Sequence, residues 1–117
     1  MRLWPDESDK PWARGVAACG YQVLCVSQFT LCAQMKGAKP RPSYHLAMPP
    51  GEAKPFYEGF LELLHEEYAT AAGCEVAQLR STAEDGEWEA RIQDGRFGEM
   101  MVVSLENDGP VTICDEV

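Results

Sequence analysis

Ser27, Gln28 and Thr30 bring two hydroxyls and a carboxamide to the end of an apolar run, with Phe29 between them. Together with backbone N–H groups, such donors can bind a carbonyl oxygen or the oxyanion of a tetrahedral intermediate. The segment is suited to holding a reacting acyl group rather than attacking it. Near the C terminus, Asn107-Asp108-Gly109-Pro110 is a turn signal, followed by the hydroxyl of Thr112. A blander reading stays open beside this one. Ser27 and Thr30 can satisfy local backbone groups, and Thr112 can be an ordinary β-branched strand residue.

Other chemistries have few residues to work with. Only His45 and His65 are present, so a Ser-His or Cys-His mechanism has few bases and a multi-histidine metal site few ligands. Five cysteines without a C-x-x-C pair fit neither a disulfide framework nor a structural zinc site, and they read as reduced thiols. Cys25 sits within an apolar run and reads as a small core residue. His65 falls on the glutamate side of a helix, and nothing near His45 in sequence partners it for catalysis. Lys36, Lys39 and Arg41 lie close together with no acid between them. They form either a solvated Pro-rich loop or a patch able to meet a phosphate or two.

The elements that must position these residues follow from periodicity. Tyr21 to Leu31 predicts a strand, buried on both faces at its start, with Ser27, Phe29 and Leu31 on one face later and Gln28 and Thr30 on the other. Residues 33 to 50 read as a loop. From Glu52 to about Ala71, Phe56, Phe60 and Leu64, joined by Tyr57, Leu61 and Tyr68, make the apolar stripe of a helix over a sheet. Residues 70 to 93 lose that periodicity and carry several acids. They predict a surface insertion with little core and a short strand at Trp88 to Ile92. Strands are predicted at Met100–Leu105 and Val111–Cys114.

The chain has 117 residues with 45% hydrophobic and 25% charged, which fits one folded domain and not a disordered chain. Its formal net charge of −9 disfavours a partner gripped along many phosphates. No apolar run is long enough to span a membrane, and the N terminus lacks a secretory signal pattern. A cytoplasmic protein is expected.

Ser27-Gln28-Phe29-Thr30-Leu31 and Asn107-Asp108-Gly109-Pro110-Val111-Thr112 resemble the two signature motifs of the D-aminoacyl-tRNA deacylases. Lys36-Gly37, Pro42-Ser43-Tyr44, His45-Leu46-Ala47-Met48-Pro49, the Phe56-Tyr57 helix, and Phe97-Gly98 shortly before Met101 match in order and spacing. The likeness runs from Met1 to the C terminus, interrupted at about 70 to 93.

The resemblance implies an α+β fold, with antiparallel β-sheets forming a barrel-like core, a packed amphipathic helix, and a homodimer. It implies hydrolysis of the ester of D-aminoacyl-tRNA, with glycyl-tRNA as a further candidate, as proofreading of translation. Ser27, Gln28, Phe29, Thr30 and Thr112 would be the catalytic segment, and Gly109, Pro110, Met101 and Phe97 would bind substrate. A ribose hydroxyl beside the ester would assist the reaction while the protein positions it. Lys36, Lys39 and Arg41 would contact the RNA near its 3′ end. No metal or organic cofactor is implied. A cis Gly109-Pro110 bond would present two carbonyls to the substrate's ammonium across the dimer. Two departures stand out: the family's N-terminal strands are missing before Met1, so an incomplete chain is expected, and Glu99 replaces the usual small residue after Phe-Gly. A non-catalytic fragment that binds RNA or a protein partner is the alternative.

Overall fold

The computed structural model describes residues 1–37, 40–80, 90–109 and 111–115. Its fold is mixed α and β. Strand β1 (Arg2–Trp4) pairs antiparallel with β2 (Arg14–Gly15), which leads directly into the short helix α1 (Val16–Cys19). Gly20 closes α1 in the left-handed region at φ 66°, a conformation that costs glycine nothing. The chain then enters β3 (Val23–Cys25), a single 3-10 turn at Phe29–Cys32, and a small antiparallel hairpin of β4 (Gln34–Met35) and β5 (Pro42–Ser43).

The long helix α2 (Pro50–Ala72) begins with Pro at its first position and Glu52 in its first turn, both favourable at a helix N-terminus. It ends in a Schellman closure: Cys74 N–H reaches the Ala69 carbonyl at 3.0 Å and Gly73 N–H the Thr70 carbonyl at 3.3 Å. Helix α3 (Val76–Leu79) and strand β6 (Ile92–Asp94) follow. β6 runs parallel to β3, in the register Val23 to Ile92, Leu24 to Gln93 and Cys25 to Asp94. Parallel strands need a long crossover, and here α2 and α3 lie within it.

The core forms where α1, α2, α3 and the β3–β6 pair meet. Tyr68, Ala69, Leu79 and Ile92 are buried there, with Val16, Ala17, Val23, Leu64, Cys74 and Val76 packed around them. Two tyrosine hydroxyls tie α2 to the chain around β3. Tyr68 donates to the Tyr21 carbonyl at 2.8 Å and Tyr57 to the Cys25 carbonyl at 2.9 Å.

Several sequence expectations change. The buried face of α2 runs through Tyr57, Leu61, Leu64 and Tyr68, whereas Phe56, Phe60 and Leu63 are exposed. Residues 74–80 and 90–93 contribute core rather than only surface, because Leu79 and Ile92 are among the most buried side chains. Of the strand foreseen at Trp88 to Ile92, only Ile92 lies in a strand, as the first residue of β6; Ala90 and Arg91 precede it, and residues 81–89 lie outside the described residues. The strand expected to reach Leu31 stops at Cys25, because Gln28 caps a turn there.

Residues 100–105 and 111–114 carry the side chains of strands, yet no ladder includes them among the described residues. A strand is defined by its partner, and propensity alone supplies none. The strands described form three separate two-stranded sheets, one of them parallel, and not a closed antiparallel barrel. The chain consequently presents 10059 Å² to solvent, against the roughly 6,300 Å² expected of a compact monomer of its mass. Met100 and Val102 are almost wholly exposed, and Leu105, Val111 and Leu24 are largely so.

Candidate functional site

The site is built on the end of β3. Cys25 is held from two sides, since its carbonyl accepts from both Tyr57 Oη and the Gly95 N–H, the latter at 3.3 Å. Two residues on, Ser27 is half-buried, and the chain turns. Gln28 is extended (φ −147°, ψ 96°), and its side-chain oxygen accepts from the Thr30 N–H at 3.4 Å, capping the 3-10 turn. Leu31 N–H then reaches the Gln28 carbonyl and Ala33 N–H the Thr30 carbonyl. The N–H groups of Ser27, Gln28 and Phe29 enter no hydrogen bond among the described residues. A half-buried serine followed by open donors on a capped turn has the chemistry to receive a carbonyl oxygen or an oxyanion.

One wall beside this turn is apolar. Met101 lies over Gly95 so closely that a Cβ there would come within 3.0 Å of both its sulfur and its methyl group, with Val26 at 3.7 Å. The Arg96 N–H points at the Met101 sulfur at 3.4 Å. Phe97 packs on Tyr57 with ring centroids 5.6 Å apart. Phe97 and Met101 are therefore gathered at the end of β3. Glu99 is exposed, and its Oε2 lies 3.7 Å from Arg96 Nη1.

A second side of the turn is set by the β4–β5 hairpin. Phe29 meets Tyr44 edge-on at 4.9 Å, which joins the donor turn to the loop carrying Lys36, Arg41, Ser43 and His45. Lys36, Arg41, Pro42 and Ser43 line an open cavity of about 340 Å³. Lys36 Nζ lies 2.8 Å from His45 Nε2, and Ser43 Oγ lies 2.9 Å from His45 Nδ1. The partners that sequence spacing did not supply for His45 come from the hairpin.

Other expected site residues are not assembled here. Gly109 has φ 72°, as its turn requires, but Gly109 and Thr112 are exposed and make no hydrogen bond among the described residues. Pro110, and with it the expected cis bond, and Lys39 lie outside the described residues.

The electrostatics oppose thiol or phenol nucleophiles beside the turn. Burial raises the Cys25 thiol's pKa, with Asp94 adding to the effect against a hydrogen bond from Tyr57. Burial, then Cys25 and Asp94, push Tyr57 up to about 12. Both groups stay protonated near neutrality. No three His, Cys, Asp or Glu side chains converge as a metal site among the described residues. Neither Tyr57 as a hydrogen-bond donor nor Tyr44 as a bridge follows from sequence alone, since each depends on a contact distant along the chain.

A family model described as D-Tyr-tRNA(Tyr) deacylase matches residues 1–116. The chain is 42% identical over 113 residues to D-aminoacyl-tRNA deacylase 1 of Bos taurus, covering 97% of this chain and 44% of that protein. It is 46% identical over 114 residues to D-aminoacyl-tRNA deacylase of Dictyostelium discoideum, covering 97% of this chain and 62% of that one. The chain thus spans about half the length of the curated relatives it matches. A solved structure titled c-Myc DNA Unwinding Element Binding Protein is similar with a TM-score of 0.70 at 42% identity, covering 97% of this chain and 62% of the other.

Proposed function

The chain belongs to the D-Tyr-tRNA(Tyr) deacylase family, and from that membership we propose that it hydrolyses the ester joining a D-amino acid to the 3′ end of tRNA. The observation that carries the reading is the capped turn at Ser27–Thr30, with open N–H groups beside the wall of Phe97 and Met101. In this scheme water adds to the ester carbonyl, and the turn's donors hold the oxyanion that forms. The bond from the carbonyl carbon to the ribose oxygen then breaks, and that oxygen leaves as a hydroxyl. The vicinal ribose hydroxyl assists the proton transfers, so the protein needs to orient the ester rather than supply a base. Orientation alone lowers a barrier by several kcal/mol. Free D-amino acid and tRNA are released, a proofreading step in the cytoplasm. Glycyl-tRNA fits the same scheme.

Gly109, Pro110 and Thr112 enter this proposal through a second copy of the chain. The exposed apolar segment 100–105 supports a homodimer and the barrel-like antiparallel closure, since solvent contact of this extent disfavours the lone chain. The test is hydrolysis of matched D- and L-aminoacyl-tRNA by the purified protein. Release of D-amino acid with the L-ester spared is the expected result. RNA binding without turnover would instead leave the chain a binding module.

A further inference from the structure

The β4–β5 hairpin carries a polar constellation that the ester chemistry does not use. An ammonium group can only donate, so Lys36 Nζ donates to His45 Nε2 across their 2.8 Å contact. A neutral imidazole that accepts at Nε2 holds its proton on Nδ1, and so donates to Ser43 Oγ at 2.9 Å. The Ser43 hydroxyl proton is left free to donate onward. Arg41 forms no ion pair or hydrogen bond among the described residues, and Lys36, Arg41 and Ser43 line the same cavity.

This trio is the reverse of a hydrolytic triad. There, serine donates to histidine, and a carboxylate on the far side stabilises the imidazolium. Here the far side is a cation, so taking a proton from Ser43 would place imidazolium against ammonium. Every free polar hydrogen that the trio and Arg41 offer belongs to a donor, which suits an anion. The overall charge of −9 disfavours broad polyanion binding and makes a local cationic site decisive. Tyr44, between Ser43 and His45, meets Phe29 edge-on, so the chain segment that lines the cavity is tied to the donor turn.

We propose that Lys36, Arg41 and Ser43 bind one backbone phosphodiester of the RNA substrate, with His45 as the positioning residue that aims Ser43 Oγ and Lys36 Nζ. The identity of the nucleic acid rests on the deacylase reading; the anion chemistry does not.

The test is equilibrium binding of a labelled single-stranded RNA oligonucleotide across a salt series. Arg41→Gln and Lys36→Gln should each weaken binding and flatten the slope of log affinity against log salt in part, and the double variant should flatten it by about 0.7, the value of one single-strand phosphate contact. Ser43→Ala should weaken binding about tenfold without changing the slope, as loss of a hydrogen bond to a charged group does. His45→Leu should match Ser43→Ala. His45→Gln, whose amide can accept from Lys36 and donate to Ser43, should restore most of the affinity. Unchanged affinity and slope in folded Arg41→Gln and Ser43→Ala would overturn the site. So would Ser43→Ala abolishing hydrolysis of a D-aminoacyl adenosine, which carries no phosphate, because Ser43 would then act on the ester itself. If the wild-type protein hydrolyses neither D-aminoacyl adenosine nor D-aminoacyl-tRNA, the deacylase reading fails, and the oligonucleotide affinities still decide the anion site.

Discussion

Tyr57 donates its hydroxyl to the carbonyl of Cys25 at 2.9 Å, so the long helix fixes the point from which the donor turn departs. Tyr57→Phe removes this bond while the carbonyl keeps the Gly95 N–H. The expected loss of stability is about 0.5–1.5 kcal/mol, measured by urea unfolding. Hydrolysis should fall by more than stability alone explains, because the turn loses its anchor.

The same phenol gives a pH signature. Its pKa, pushed to about 12 in the folded chain, lies above the ordinary 10.0. The stability it contributes is complete below 10 and is lost as the pH rises from 10 through 12. Burial raises the Tyr68 phenol as well, so tyrosinate absorbance should show one fewer late-titrating residue in Tyr57→Phe than in the wild type.

Gln28 separates capping from catalysis. Gln28→Glu keeps an oxygen for the Thr30 N–H but sets a carboxylate beside the developing oxyanion, whereas Gln28→Ala loses the cap. Stability should fall more in the alanine variant, by up to about 1 kcal/mol. Hydrolysis should fall more in the glutamate variant, by about a hundredfold or more. If both quantities follow one order, the turn's role is structural.

Leu79→Ala should cost about 2–5 kcal/mol, although it lies in a helix of only four residues. Phe56→Ala, on the exposed side of α2, should stay within about 0.5 kcal/mol. Thermal unfolding of the pair distinguishes this helix face from one led by Phe56 and Phe60.

Arg80 Nη2 lies 2.6 Å from Glu62 Oε2 and holds the Glu62 pKa below its usual 4.5. A depressed carboxylate pKa stabilises the fold above the ordinary value, and that stabilisation disappears as the pH falls through and below 4.5. Arg80→Gln should therefore lower stability near neutrality and converge with the wild type in acid. High salt should erase most of the difference, since both side chains face solvent.

The long helix was legible in the sequence because a repeat of 3.6 survives over many residues. Its exact buried face was not, since aromatic residues lie on both sides and only packing selects Tyr57 and Tyr68 over Phe56 and Phe60. Ser27–Thr30 could be recognised as polar donors, but alternation suggested a straight strand. The cap from Gln28 to Thr30 is a side-chain choice that alternation does not encode. The burial of Leu79 and Ile92 was hidden in an acidic stretch whose elements are too short to show a period, although a strand was expected to end at Ile92. The Lys36–His45–Ser43 contacts depend on the register of a two-residue hairpin, Gln34 opposite Ser43. Residues 100–105 are apolar and β-branched enough to predict a strand, yet they form none among the described residues, because a pairing partner lies in no local pattern.

The parallel pairing of β3 with β6 has a consequence for the order of assembly. Gln22 and Ala90, hydrogen-bonded beside that pair, are 68 positions apart. Closing a loop of that length costs about 3–4 kcal/mol of chain entropy before any contact returns it. As the chain leaves the ribosome, α1 and α2 can form while Val23–Cys25 still has no partner. The donor turn, encoded early, acquires its fixed position only once Ile92 and Gly95 have been synthesised, so a nascent chain stalled before them would carry Ser27–Thr30 without the anchor at Cys25 that Gly95 completes.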